Sequence, residues 1–412
     1  MRLFTKHQST ARVLTAAAGA MFSVNALALI FSDGFESLPP CALTVSDDII
    51  EDTTWSNGPS ACDILIVPRN LDDPIAPGFA PVSVVNATLT IEPGTVVQFA
   101  QNGSISVAEG GGLQASGSEE NRITFAARQP VAGFGRGLFF GFDALDSRIE
   151  YSDFINLGSE SALSAHDAAI AAAPSSGAGL ILRYSTISGS STIGVELDEF
   201  TLQDFEANRF FANEQFGLRV SGPQVPMLDE ASDYAGGSQP NSQPFVLVEG
   251  VSSRDRITAD GLWRSLNAPY FLDVALNVES GTLSLAAGVQ IVAGAGATLR
   301  ISELAALTAV GTTNQPISFR GLVSMPGYWE GIVFFESDSP NNRFENVTVQ
   351  HAGQESSDAA IDLDIDALLF LRNSTISNNS GAGVCVGFRS TLDDGGGNSF
   401  SDNAGGNIVT NC

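Results

Sequence analysis

The sequence predicts an all-β solenoid built from two tandem homologous units, and three observations predict it. The chain repeats itself at a fixed offset, its apolar residues alternate with a period of two in short runs, and its turns are rich in Gly, Asn and Pro. A fixed offset marks a repeat architecture, in which one unit cannot bury its apolar face alone and stacks on the next to do so.

The duplication is the first element. Thr88 to Phe125 matches Thr282 to Phe319 over 38 positions without a gap, at an offset of 194. Nine positions are identical: Thr88, Leu89, Gly94, Glu109, Leu113, Ala115, Gly117, Ile123 and Phe125 recur as Thr282, Leu283, Gly288, Glu303, Leu307, Ala309, Gly311, Ile317 and Phe319. Downstream, GFGRGL from Gly133 meets GYWEGI from Gly327, and RIEYSDFINLG from Arg148 meets RFENVTVQHAG from Arg343. LRYSTIS from Leu182 then meets LRNSTIS from Leu371, and Asn208, Phe210 and Asn213 meet Asn398, Phe400 and Asn403. Upstream, Trp55 and Trp263 each follow an Asp by three residues. The first unit therefore spans residues 45–220 and the second 255–412, the latter including a C-terminal cap. Between them a connector over 221–254 begins with a stretch rich in Pro, Gly, Ser and Asp, Ser221 to Pro244, which reads as exposed.

The strand pattern is the second element. Leu89 and Ile91, Val96 to Phe99, Ile105 and Val107, Leu113 and Ala115, and Ile123 and Phe125 alternate as strands with one buried face do. The Ala-rich stretch Ala162 to Ala173 reads equally as helix or strand. Turns supply the third element, and they separate two β architectures. A sandwich favours two-residue hairpins, for which Asn102-Gly103 and Asp394-Gly395 are the candidates, whereas most turns here are longer and uneven. Uneven turns on a regular core suit a solenoid.

Residues 1–28 read as a cleaved export signal: Arg2, Lys6 and Arg12 charge the leader, Val13 to Val24 is a short apolar run, and Ala26-Leu27-Ala28 supplies small residues at a cleavage point. An arm over 29–44 follows and holds a compact motif, Phe31 to Glu36. No transmembrane segment is expected after cleavage, and the expected destination is the medium, the cell surface or the periplasm. Removing residues 1–28 takes away three basic residues and no acidic one, so the net charge moves from −27 to −30. Such a chain repels nucleic acid, which is excluded as a partner. The leader also holds the single Lys, Lys6, so no lysine amine remains as a base or Schiff-base nucleophile. Cys41, Cys62, Cys385 and Cys412 form an even count in an exported chain and are expected in disulfides. Of the three pairings, that of neighbours closes loops of about two dozen residues and stabilises by roughly 3 kcal/mol each in the chain-entropy model.

With these segments in place, TLTIEPGTVVQF, GGLQASGSEENRITF and GRGLFF, repeated as TLSLAAGVQI, ALTAVGTTNQPISF and WEGIVFF, resemble the bacterial right-handed parallel β-helix repeat proteins of the pectate-lyase-like superfamily. The resemblance covers most of the mature chain and rests on core and turn residues. It implies a right-handed parallel β-helix and an exported protein. Many such proteins have no assigned activity, while others in the superfamily bind, cleave or eliminate acidic polysaccharides.

The segments that mark the superfamily's hydrolases are missing here, and elimination would need an Arg base, for which nothing singles out one of the 16 Arg residues beyond the leader. Polygalacturonase-type hydrolases carry a Gly-His-Gly and an Arg-Ile-Lys segment, and neither occurs in this sequence. The carboxylate constellation that stands out is Asp362, Asp364 and Asp366, which a strand places on one face while Ile361, Leu363 and Ile365 enter the core. Three carboxylates in a row attract Ca²⁺, the one cofactor the sequence suggests, although a solvated outer face gives the same pattern. Asp393-Asp394 is a weaker candidate and reads as a solvated turn. His166 and His351 stand without sequence partners; His351 falls where the first copy has Asn156. Trp329, which replaces Gly135, forms with Tyr328 either a sugar-stacking platform or part of the core, and Trp55 and Trp263 read as packing residues. Asn373, Asn378, Asn398 and Asn403 are expected to bridge coil to coil through their amides, with sugar contact as the alternative. The expected function is an exported non-catalytic scaffold or binding protein for a polysaccharide or cell-surface component. The alternatives are a polysaccharide lyase or glycoside hydrolase, and a structural or adhesive surface module.

Overall fold

A computed structural model of the protein describes residues 42–56, 63–71, 78–159, 167–172, 179–197, 201–249, 256–354 and 359–412. Residues 1–28, expected to be a leader, the Phe31 to Glu36 motif, Cys41, Cys62 and His166 lie outside the described residues. Among the described residues no helix is long and apolar enough to cross a membrane.

Period-two patterning produces strands that stack in parallel. In the first half each coil places one strand on each of three sheets. Thr88–Ile91, Val96–Phe99 and Ser104–Ala108 make one coil, and Gly112–Ser116, Ile123–Ala127 and Gly137–Phe140 make the next. Coil stacks on coil in register, with Leu89 beside Leu113, Val97 beside Phe125 and Ile105 beside Leu138. The protein is a parallel β-helix; among the described strands, Arg69–Leu71 with Gly78–Ala80 forms the antiparallel exception. Of the Ala-rich stretch, Ala168–Ala172 forms a strand with all five residues buried, while residues 162–166 and 173 lie outside the described residues.

Inward residues of successive coils make one apolar core that runs from Ile49 to Val384. Phe125 stacks on Phe154 at 4.6 Å between centroids, and Phe319 on Phe344 at 5.9 Å. Each such ring, fully buried, contributes about 2 kcal/mol of transfer free energy. At the corners the backbone amides that leave the sheets find asparagine side chains. The Asn208 amide accepts from Ser185 N and donates to Leu182 O, and Asn398 makes the matching pair of bonds with Ser374 N and Leu371 O. Asn213 and Asn403 likewise donate to Ile187 O and Ile376 O. The coil-bridging role read for Asn398 and Asn403 is thus the geometry found. Asn373 and Asn378 instead occupy left-handed turns, at φ 48° and 58°, where Asn is tolerated better than most residues.

A thirteen-stranded sheet runs through both halves, from Val82–Val85 to Ser399–Asn403. Matched segments nevertheless sit on different sheets. Val97 and Phe125 lie in the seven-stranded sheet, whereas their matches Ile291 and Phe319 lie in the thirteen-stranded one. The second half is therefore advanced by one face relative to the first. The shift arises at Ser221 to Pro244, expected as an exposed connector. This stretch is built into the stack: Val225, Leu228 and Tyr234 are buried, and Tyr234 stacks on Phe210 at 5.9 Å. Gln243–Glu249 then adds a second consecutive strand to the sheet, beside Phe216–Ser221. Arg264 closes the seam by donating to Pro226 O at 2.6 Å and Leu228 O at 3.2 Å. At the far end a Cys385–Cys412 disulfide, with Cα atoms 6.1 Å apart, ties Ile408–Thr410 to the coil before it.

Candidate functional site

Trp329 and Tyr328 follow a loop that ends at the strand Gly331–Phe334. Trp329 is 1% exposed and its Nε1 donates to Gln350 O at 2.8 Å. Of the two readings given for this ring, core packing is the geometry found, and sequence complementarity explains it. In the first copy a side chain at Gly135 would collide with Phe99 and Leu157. The second copy has Ala293 and Ala352 at those two places, in one core cluster with Trp329, so the matched positions leave room for an indole where a side chain at Gly135 would collide. Tyr328 is half-buried beside Gly321. Trp55 and Trp263 are both buried and lie beside Ile91 and Leu285, which match one another at the 194-residue offset.

The aspartate triplet divides. Asp362 is half-buried beside Val333 and Cys385, and Asp364 is exposed on the strand Ala359–Ile365. Asp366 lies past the strand end in a left-handed turn, at φ 47°, and pairs with Arg389. Among the described residues no three His, Cys, Asp or Glu side chains form a group able to hold a metal ion. Asp394 accepts from Gly396 N and Asn398 Nδ2, a turn-stabilising arrangement. His351 also occupies a left-handed turn, at φ 64°, with Nδ1 buried and unpartnered; burial, then the nearby Arg320, holds its pKa below the ordinary value. Arg136 and the Gln350 strand that receives Trp329 are eight strand spacings apart on the thirteen-stranded sheet, roughly 38 Å at about 4.8 Å each. Arg136 and Trp329 therefore do not share a groove.

A different corner gathers recognition chemistry. Four consecutive coils, in register through Ser116, Glu150, Arg183 and Glu206, place Gly117, Tyr151, Tyr184 and Ala207 one above another at the next position. Tyr151 and Tyr184 stack with ring centroids 4.7 Å apart and planes 14° from parallel. Both are half-buried, and both sit in the left-handed region, at φ 46° and 51°. That conformation costs a bulky residue about 1 kcal/mol or more, and the second copy avoids it by placing Asn346 and Asn373 there. The column neighbours are small, since Gly117 has no side chain and Ala207 only a methyl, and the Arg183 guanidinium lies over the Tyr184 ring at 5.9 Å from its centroid.

Ion pairs frame the tyrosines on both sides. Arg183 bonds Glu150 through Nε at 2.9 Å and Asp204 through Nη1 at 2.9 Å, while Arg148 bonds Glu150 at 3.0 Å. Burial raises the Glu150 pKa, but the Arg183 and Arg148 hydrogen bonds and charges outweigh it and hold the carboxyl below its ordinary value. On the other side Arg122 grips Asp153 through Nε and Nη2, at 3.0 and 2.8 Å. Glu206 accepts from the Tyr184 hydroxyl, and that bond is the first cause of the tyrosine's raised pKa.

No protein-family model, curated protein or solved structure matches this chain. Sequence reading missed the tyrosine pair, although the exchange of LRYSTIS for LRNSTIS and of RIEYSDF for RFENVTV already marked both positions.

Proposed function

We propose that this chain is an exported, non-catalytic β-helical scaffold that binds carbohydrate, and that the Tyr151–Tyr184 corner is its binding surface. The stacked pair carries the reading. Exposed aromatic faces receive the C–H faces of sugar rings, and the surrounding carboxylates and guanidinium groups fix hydroxyls. Two strained bulky residues in consecutive coils, where the homologous coils use Asn, point to selection for something other than stability. The export leader agrees with an extracellular or periplasmic ligand, and the likeness to the pectate-lyase-like β-helix proteins agrees with a saccharide one.

The test compares the leader-free protein with Tyr151→Asn and Tyr184→Asn variants by isothermal titration against soluble polysaccharides. Asn is the residue the second copy carries at these turns, so both variants should keep the wild-type melting temperature or exceed it. Binding by the wild type that falls about tenfold in each variant supports the assignment. Equal binding by all three proteins contradicts it. The same polysaccharides, incubated with the protein, should release no new reducing or unsaturated ends.

A further inference from the structure

Charge at this corner selects among carbohydrates, and we infer that its ligand is an uncharged glycan, one without uronate or sulfate groups. The inference rests on the proposed function and narrows it. Four carboxylates, Glu150, Asp153, Asp204 and Glu206, surround the tyrosines against three guanidinium groups, those of Arg122, Arg148 and Arg183. All three arginines are already engaged: Arg183 spans Glu150 and Asp204, Arg148 holds Glu150, and Arg122 holds Asp153 with two nitrogens and Ser152 O with one. No lysine stands outside the leader, and the whole chain carries −27.

An anionic sugar placed on Tyr184 would bring its carboxylate into this field, where the three arginines are paired and the next one along the stack, Arg209, is paired with Asp233 at 3.5 Å. Displacing Glu150 or Asp153 from its arginine would strand a carboxylate that the fold has paired. An uncharged pyranose meets the opposite situation. Its C–H face lies on the ring of Tyr184 beside the Ala207 methyl, with the Arg183 guanidinium 5.9 Å from the ring centroid and Glu206 on the tyrosine hydroxyl. Its hydroxyls donate to Asp204 and Glu206, which accept without a change of charge.

The experiment titrates the leader-free protein with a neutral panel of uronate-free arabinoxylan, mixed-linkage β-glucan and galactomannan, and with polygalacturonate and alginate, at low and physiological salt. The expected result is binding to a neutral glycan that changes little with salt, is about tenfold weaker in Tyr184→Asn, and exceeds binding to either uronate polymer by tenfold or more. A uronate polymer bound more tightly than every neutral one, through the tyrosines, overturns this inference and leaves the carbohydrate reading standing. Binding to none of the five, or binding untouched by the tyrosine variants, overturns both.

Discussion

The exchange of bulk between the two copies makes a quantitative prediction. Trp329 is buried where the first copy has Gly135 packed against Phe99 and Leu157, and the positions matching those two residues are Ala293 and Ala352, so the bulk of the two copies is interchanged. Trp329→Gly removes a buried indole and leaves Gln350 O without its 2.8 Å donor, so it should cost about 4 kcal/mol. Ala293→Phe alone drives a ring into the intact indole and should cost about 2 kcal/mol. Together the substitutions recreate the packing of the first copy, with the orphaned carbonyl and the shorter Ala352 side chain as the remaining defects. The double variant should lose only about 3 kcal/mol, a favourable coupling of about 3 kcal/mol between the two sites. Urea unfolding at 25 °C, followed by far-UV circular dichroism with the disulfide intact, measures all four corners of the cycle. Losses that simply add, to about 6 kcal/mol, would refute the claim that the two copies solve one packing problem with interchanged side chains.

Two other perturbations probe the corners of the coils. Asn213→Ala deprives buried Ser190 N and Ile187 O of their partners, at 3.0 and 3.3 Å, and should destabilise by about 3 kcal/mol in the same assay. Asn403→Ala, at the more exposed end, should cost clearly less, and equal losses would count against the role of burial. His351 has a folded-state pKa below its ordinary 6.5, so the unfolded chain binds the extra proton first. Its contribution to stability is complete above about pH 6.5 and is lost as pH falls from there towards the lowered folded value. His351→Asn, which restores the residue of the first copy, should flatten the fall in melting temperature between about pH 7 and 5.5; an unchanged slope would exclude His351 as its source.

Much of this fold is legible in the sequence because a solenoid writes its core locally. Leu89, Ile91, Val97 and Phe99 alternate in the sequence as they alternate in space, and the matched Asn208 and Asn398 make the same two bonds. The advance by one face was not legible, because a sequence offset records which residues correspond and not which sheet receives them. The seam misled through composition: Pro and Gly mark turns whether or not those turns are packed, and the few core residues, Val225, Leu228 and Tyr234, are widely spaced. Trp329 was ambiguous because its fit depends on Ala293 and Ala352, distant positions that matter only once the coils are stacked. The tyrosine corner stayed hidden for a related reason, since Tyr151 and Tyr184 are 33 residues apart and meet only through the register of Glu150 with Arg183.

Continuity of the thirteen-stranded sheet across the seam underlies both the core and the placement of the corners. Hydrogen–deuterium exchange of the peptide covering Asn241 to Glu249, read by mass spectrometry, tests it directly. Ser242 N, Gln243 N and Val246 N bond to Asn213 O, Gln215 O and Pro269 O, so these amides should be as protected as those of Phe216–Ser221 and Tyr270–Leu272 on either side. Exchange of that peptide within seconds, between two protected flanks, would show two bodies joined by a loose segment and contradict the single solenoid.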